Sequence, residues 1–209
     1  MKNFDIVIVG AGSAGCIVTN QIINNTNLKV LLIEAGPSDN HPVIQIPLGY
    51  GMTFFHKKMN WNFYSEKQKK LNDREVYYPR GKVIGGSGSI NAMIYARGLK
   101  TDFENWNLNK SWSWENIKDT YEKIEVPIKG KSKKIPINKI PVNDVSNQHH
   151  SILKNYFTAA NDFDFQFNRQ LNSSIEDQVG NYNVNIINGF RASSAKIFLK
   201  PIKNHPNLT

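Results

Sequence analysis

Four residues carry the clearest chemistry in this chain: the glycines of Gly10-x-Gly12-x-x-Gly15, and Glu34 about 20 residues further on. Gly10 allows a tight turn, Gly12 lets the backbone approach a pyrophosphate with no Cβ in the way, and Gly15 lets a helix lie close to the preceding strand. Ser13, Ala14 and Gly15 open that helix. Its unpaired N–H groups and the positive end of its dipole suit phosphate oxygens. Glu34, followed by Ala35, stands where a carboxylate can accept hydrogen bonds from both hydroxyls of an unphosphorylated ribose. The same charge repels a 2′-phosphate, so FAD or NAD fits better than NADP.

The elements needed to hold these residues are legible around them. Phe4 to Val9 is an apolar run that reads as a buried strand, and Leu28 to Ile33 reads as a second, so residues 1–35 form a βαβ nucleotide-binding unit. Ala35-Gly36-Pro37 then breaks the chain into a long irregular stretch, a kind of segment that often covers a ligand. Asn60 to Tyr64 and Glu75 to Tyr78 are β-like aromatic pieces. They lead to a second glycine-rich loop, Gly81-Lys-Val-Ile-Gly-Gly-Ser-Gly-Ser89, and to Ile90–Arg97, whose apolar spacing predicts a buried helix. Ile117, Tyr121 and Ile124 predict an amphipathic helix after Ser113, ended by Pro127, and Asn147 to Ala160 predicts another. Residues 129–146 read as loop. Tyr182 to Ile186 alternates as a half-buried strand before an Asn188-Gly189 turn, and Ser193 or Ser194 caps a short helix closed by Pro201.

Bulk properties narrow the class. Of 209 residues, 40% are hydrophobic and 11% aromatic, which is globular rather than disordered composition. No apolar run reaches the length of a membrane span, and the first strand begins too early to leave room for a secretory signal. The single cysteine, Cys16, allows no internal disulfide and reads as a small buried residue. The net charge of +9 gathers partly at Lys129, Lys131, Lys133, Lys134 and Lys139. Without interleaved aromatic residues this reads as a solvated loop, so no nucleic-acid partner is expected. No metal site is expected either. The two strands of the βαβ unit are too few for a doubly wound sheet, and the chain reads as the front portion of a longer protein.

Taken together, these residues resemble the glucose–methanol–choline (GMC) family of flavin-dependent oxidoreductases over Phe4–Thr209. The most specific piece is Gly81–Glu104, GKVIGGSGSINAMIYARGLKTDFE, which is similar to the family's first signature. Asn60-Trp-Asn-Phe63, Gln68, Leu71-Asn72 and Pro79-Arg-Gly-Lys82 resemble its usual approach. Glu176-Asp-Gln178, Asn188-Gly189, Arg191, Ser193-Ser-Ala195 and Pro206-Asn-Leu-Thr209 resemble later landmarks. Within the family, the pattern is most similar to choline dehydrogenase-like alcohol dehydrogenases.

The resemblance implies a Rossmann-like α/β FAD-binding domain, N-terminal and incomplete here, followed by the start of a mixed α+β substrate domain. It implies that residues 79–104 are the flavin-contacting loop and helix, with Val83, Ser87, Asn91, Ala92, Met93 and Ile94 along the flavin. Some members attach FAD through a histidine one residue before this Asn. That position is Ile90, so the resemblance implies non-covalent FAD. The implied reaction takes a small alcohol to an aldehyde or ketone by hydride transfer to flavin N5, with an electron acceptor that the sequence leaves unknown. The family's catalytic histidine is implied to lie beyond Thr209. None of His41, His56, His149, His150 and His205 falls on a matching position, so this chain supplies no catalytic residue and is expected to be inactive alone. A cytoplasmic location is expected, with peripheral membrane attachment left open. The competing reading is a catalytically silent nucleotide-binding or interaction module.

Overall fold

A computed structural model describes residues 3–106, 108–132, 134, 136–168, 171–172 and 178–209. Lys133, Glu176 and Asp177 lie outside the described residues. The chain divides into two units, Met1–Met93 with Gly189–Thr209, and Ile94–Asn188.

In the first unit, β1 (Ile6–Val9) and β2 (Val30–Ile33) pair in parallel, with Ile6 opposite Val30 and Val9 opposite Ile33. The helix between them, α1 (Ser13–Asn25), buries Cys16, Thr19, Asn20 and Ile23. This i, i+3, i+4, i+7 spacing aligns one face toward the core. Asn20 donates to the carbonyl of Phe198 at 2.8 Å, which ties α1 to the π-type turn Ala195–Leu199. Beside β2 the chain's last residues begin a third parallel run. Val30 N–H donates to Asn207 at 2.7 Å and Leu32 N–H to Thr209 at 2.9 Å. Phe63–Tyr64 pairs antiparallel with Tyr77–Tyr78. A buried cluster of Ile44, Met59, Val83 and Ile90 supports the second glycine-rich loop.

The second unit is mixed α+β. Its four-stranded sheet runs in the order Ile94–Tyr95, Asn183–Val184, Ile140–Asp144, Glu125–Lys129, with the last two strands parallel and the others antiparallel. Helices span Lys100–Asn105, Trp114–Ile124 and Leu153–Asn161. The amphipathic helix after Ser113 forms as expected, although the Ser113 side chain makes no capping bond. Arg97 and Tyr95 both donate to the Glu125 carboxylate, which joins the first and last strands of the sheet.

Three expectations are corrected. No helix forms over Ile90–Arg97: a 3₁₀ turn covers Gly86–Ser89, and a strand begins at Ile94. The cause is local, because the Asn91 side chain accepts from Met93 N–H at 3.0 Å and Met93 takes φ +59°, which together turn the chain out of a helical path. Residues 140–144 are a strand rather than loop, with Pro141 inside it hiding the signal. The helix predicted over Asn147 to Ala160 starts at Leu153 instead, after a turn in which His150 Nδ1 accepts from Ile152 N–H.

Candidate dinucleotide site

The site is built where the two glycine-rich loops meet. Gly10 leaves β1 at φ +98°, a conformation that glycine adopts without steric cost, and its N–H donates to Ile33 at 2.7 Å. A Cβ on Gly15 would lie 2.0 Å from the Gly10 carbonyl oxygen, so Gly15 is what allows α1 to approach β1. Gly12 differs. A Cβ there would meet nothing within 4 Å, and its φ of −70° suits any residue. The protein itself makes no demand for glycine at this position, whereas a phosphate lying against the backbone would.

The second loop closes onto the first. Gly85 N–H donates to the Ala11 carbonyl at 2.6 Å. A Cβ on Gly86 (φ +57°) would fall 2.8 Å from Gly12 Cα, and one on Gly88 would fall 2.7 Å from Ser13 Oγ. Gly36, just past Glu34, is pressed against the Lys82 carbonyl in the same way. The result is a wall of bare backbone around the N-terminus of α1. The first helical hydrogen bond runs from Cys16 N–H to the Gly12 carbonyl, and among the described residues none accepts from the N–H groups of Ser13, Ala14 or Gly15. These three donors sit at the positive end of a 13-residue helix, an arrangement suited to an anion.

Glu34 is fixed by the loops it follows. One carboxylate oxygen accepts from Ala11 N–H at 2.9 Å and the other from Gly36 N–H at 3.0 Å. Each oxygen retains a lone pair for a ribose hydroxyl. Ala35, next to it, is exposed. Cys16, one turn into α1, is fully buried and donates to the Ala11 carbonyl. Burial, with the negative charges of Asp39 and Glu34 adding to it, pushes its thiol up to about 12, so it is inert at neutral pH.

Along the second loop, the predicted residues divide by what they expose. Val83 is wholly buried in the core cluster, so only its backbone can meet a ligand. Ser87 Oγ accepts from Gly81 N–H at 3.1 Å, and the Ser87 carbonyl accepts from Ile90 and Asn91 N–H. Asn91 and Ala92 are exposed, Met93 is buried, and Ile94 belongs to the second unit. Ile90, which stands where some family members carry the histidine that attaches FAD, is buried and has no nucleophilic atom.

Four of the five histidines are already employed as local caps: Nδ1 of His41, His56, His150 and His205 each accepts a backbone N–H two residues ahead. Among the described residues no three His, Cys, Asp or Glu side chains converge as a metal site. The lysines at 129, 131, 134 and 139 are exposed. Two buried polar hubs had no prominence in the sequence. Asn60 bridges Phe54, Asn62, Tyr77 and Arg80, while Arg191 reaches Ile44, Gly88 and Asn91. Both stand in family-like stretches, and that position was the only available signal for their importance.

The family model for GMC oxidoreductase matches residues 4–209. The chain belongs to the GMC oxidoreductase family. An alcohol dehydrogenase [acceptor] from Pseudomonas putida is 35% identical over 209 residues, a match covering 98% of this chain and 38% of that protein. An oxygen-dependent choline dehydrogenase from Vibrio vulnificus is 29% identical, with 99% of this chain and 38% of that one covered. The solved pyridoxine 4-oxidase of Mesorbium loti superposes with a TM-score of 0.87 at 27% identity, over 99% of this chain and 42% of its own. This GMC chain therefore spans less than half the length of the relatives it matches. Among its described residues no helix is long and apolar enough to cross a membrane.

Proposed function

We propose that this GMC chain is the FAD-binding portion of an enzyme that oxidises a small alcohol to an aldehyde or ketone. The observation that carries the proposal is the backbone cradle around α1. Gly12 is unobstructed where the fold needs no glycine, three N–H groups are unpaired, and a carboxylate is fixed beside them. Ser13, Ala14 and Gly15 bind the pyrophosphate, Glu34 and the Ala35 backbone hold the ribose, and the segment Ser87–Met93 borders the flavin. FAD supplies a hydride acceptor when bound. Ile90 offers no atom for attachment, so the cofactor is held without a covalent bond.

The chain's own residues bind and orient; they do not move the substrate proton. His41, His56, His150 and His205 each commit the Nδ1 lone pair to a backbone N–H, which supports the reading that they serve as local caps. On this reading the acid–base group is supplied from outside residues 1–209, as is the electron acceptor. Alcohol oxidation is favoured over a silent module by the 35% identity to an alcohol dehydrogenase [acceptor]. Absorbance of the purified full-length protein, before and after acid precipitation, tests this reading. A flavin spectrum that passes wholly into the supernatant is expected. A colourless protein that FAD does not reconstitute would leave the silent module.

A further inference from the structure

Arg191 is the largest fully buried side chain among the described residues, with 1% of its surface exposed, and no carboxylate pairs with it there. Its Nε–H donates to the Ile44 carbonyl at 2.8 Å. One terminal nitrogen donates to the Gly88 carbonyl at 3.2 Å and to Asn91 Oδ1 at 2.8 Å. The other terminal nitrogen is buried without a partner. Burial pushes the guanidinium down to about 10, so it remains a cation at neutral pH. A buried cation held only by neutral acceptors is a costly way to fill a core, since an apolar side chain of similar size avoids the desolvation. What the guanidinium provides here is a fixed direction of hydrogen bonding.

That direction falls on Asn91. Its Oδ1 accepts from Met93 N–H at 3.0 Å as well as from Arg191. Rotating the amide by half a turn would set NH₂ against two donors and leave both unpaired, which the fold resists. The amide is thus held one way, on an exposed residue whose Nδ2 takes no acceptor among the described residues. We infer that Arg191 is a positioning residue for the cofactor site: it locks the Asn91 amide so that Asn91 meets the flavin as a hydrogen-bond donor and never as an acceptor. The inference rests on the flavin reading above. A fixed donor stabilises an electron-rich ring more than an electron-poor one, so it favours the reduced flavin.

The test is a double-mutant cycle on the midpoint potential of the full-length FAD-loaded protein. Asn91→Ala is expected to reduce the preference for reduced over oxidised flavin about tenfold, a fall of about 30 mV for a two-electron couple. Arg191→Met is expected to produce the same fall, and the double variant no more than either single one. Additive falls would show that Arg191 acts through its charge alone, and an unchanged potential with a lowered Tm would make it a structural residue; either overturns the inference. If Arg191→Met does not fold, Asn91→Asp decides, because aspartate keeps both acceptor bonds while losing the donor and adding a negative charge, each of which disfavours the reduced flavin. It must lower the potential at least as far as alanine does, and a wild-type potential overturns the inference. A full-length wild-type protein without flavin would instead defeat the parent reading, and does so before any variant is made.

Discussion

At the scale of single residues, Glu34 and Cys16 separate binding from burial. The Glu34 carboxylate accepts two backbone N–H bonds, one from Ala11 in the phosphate turn and one from Gly36 just past β2, and a charged acceptor makes each worth about 1.5–3 kcal/mol. Glu34→Ala should therefore loosen the turn as well as remove a ribose partner. We expect at least a tenfold weaker FAD Kd in the full-length protein, measured by fluorescence quenching, with a lower apo Tm. Cys16 makes the contrasting case. Its thiol is raised from 9.0 to about 12, mainly by burial, so the folded protein holds about a thousandfold less thiolate than an exposed cysteine at the same pH. A thiol-disulfide reagent at pH 8 should label it only after denaturant is added; rapid labelling of the native protein would contradict the burial. The folded state keeps a proton that the unfolded state has lost, so this group's contribution to stability is complete below about pH 9 and falls away between about 9 and 12.

At the scale of elements, the phosphate turn shows two glycines with opposite reasons for being glycine. Gly15→Ala drives a Cβ to 2.0 Å from a backbone oxygen of β1, which no side-chain movement can relieve, whereas Gly12→Ala meets open space. Gly15→Ala should cost about 3 kcal/mol or more by forcing α1 off the strand. Gly12→Ala should leave the apo Tm within about 1 °C and abolish FAD binding. Thermal melts with and without FAD separate the two. The sequence made both roles readable because β1, the turn, α1 and β2 lie within 35 residues and each carries its own local signal. The observed β1 and β2 begin only two residues inside the predicted runs. What it concealed was non-local. Gly86 and Gly88 face Gly12 and Ser13, and Arg191 reaches residues 147 and 100 positions away in Ile44 and Asn91; no periodicity records such pairings. The missed turn at Asn91–Met93 has the same lesson at short range. Apolar spacing favoured a helix, but one side-chain amide bonding two residues ahead was enough to redirect the chain.

At the scale of the whole molecule, the nucleotide-binding sheet carries an open edge. Among the described residues β1 pairs only with β2, and on the same sheet Val7 and Val9 are 54% and 82% exposed while Ile33 is 45% exposed. Valines at alternate positions of a strand point to one face, and a strand edge with such a face invites pairing with other chains. The match covers 38% of the alcohol dehydrogenase relative, so that protein has ample further polypeptide to cover the corresponding surface. The substitution Val9→Lys should therefore have opposite effects in two settings. In residues 1–209 expressed alone, it should reduce association measured by light scattering, because a lysine on an open strand opposes edge-to-edge pairing. In the full-length protein it should destabilise by about 1.5–3 kcal/mol, the usual cost of losing a buried valine, before any penalty for the charge. A lysine tolerated in both settings would show that this face stays in water, and that the sheet around the dinucleotide site gains no further cover from the rest of the protein.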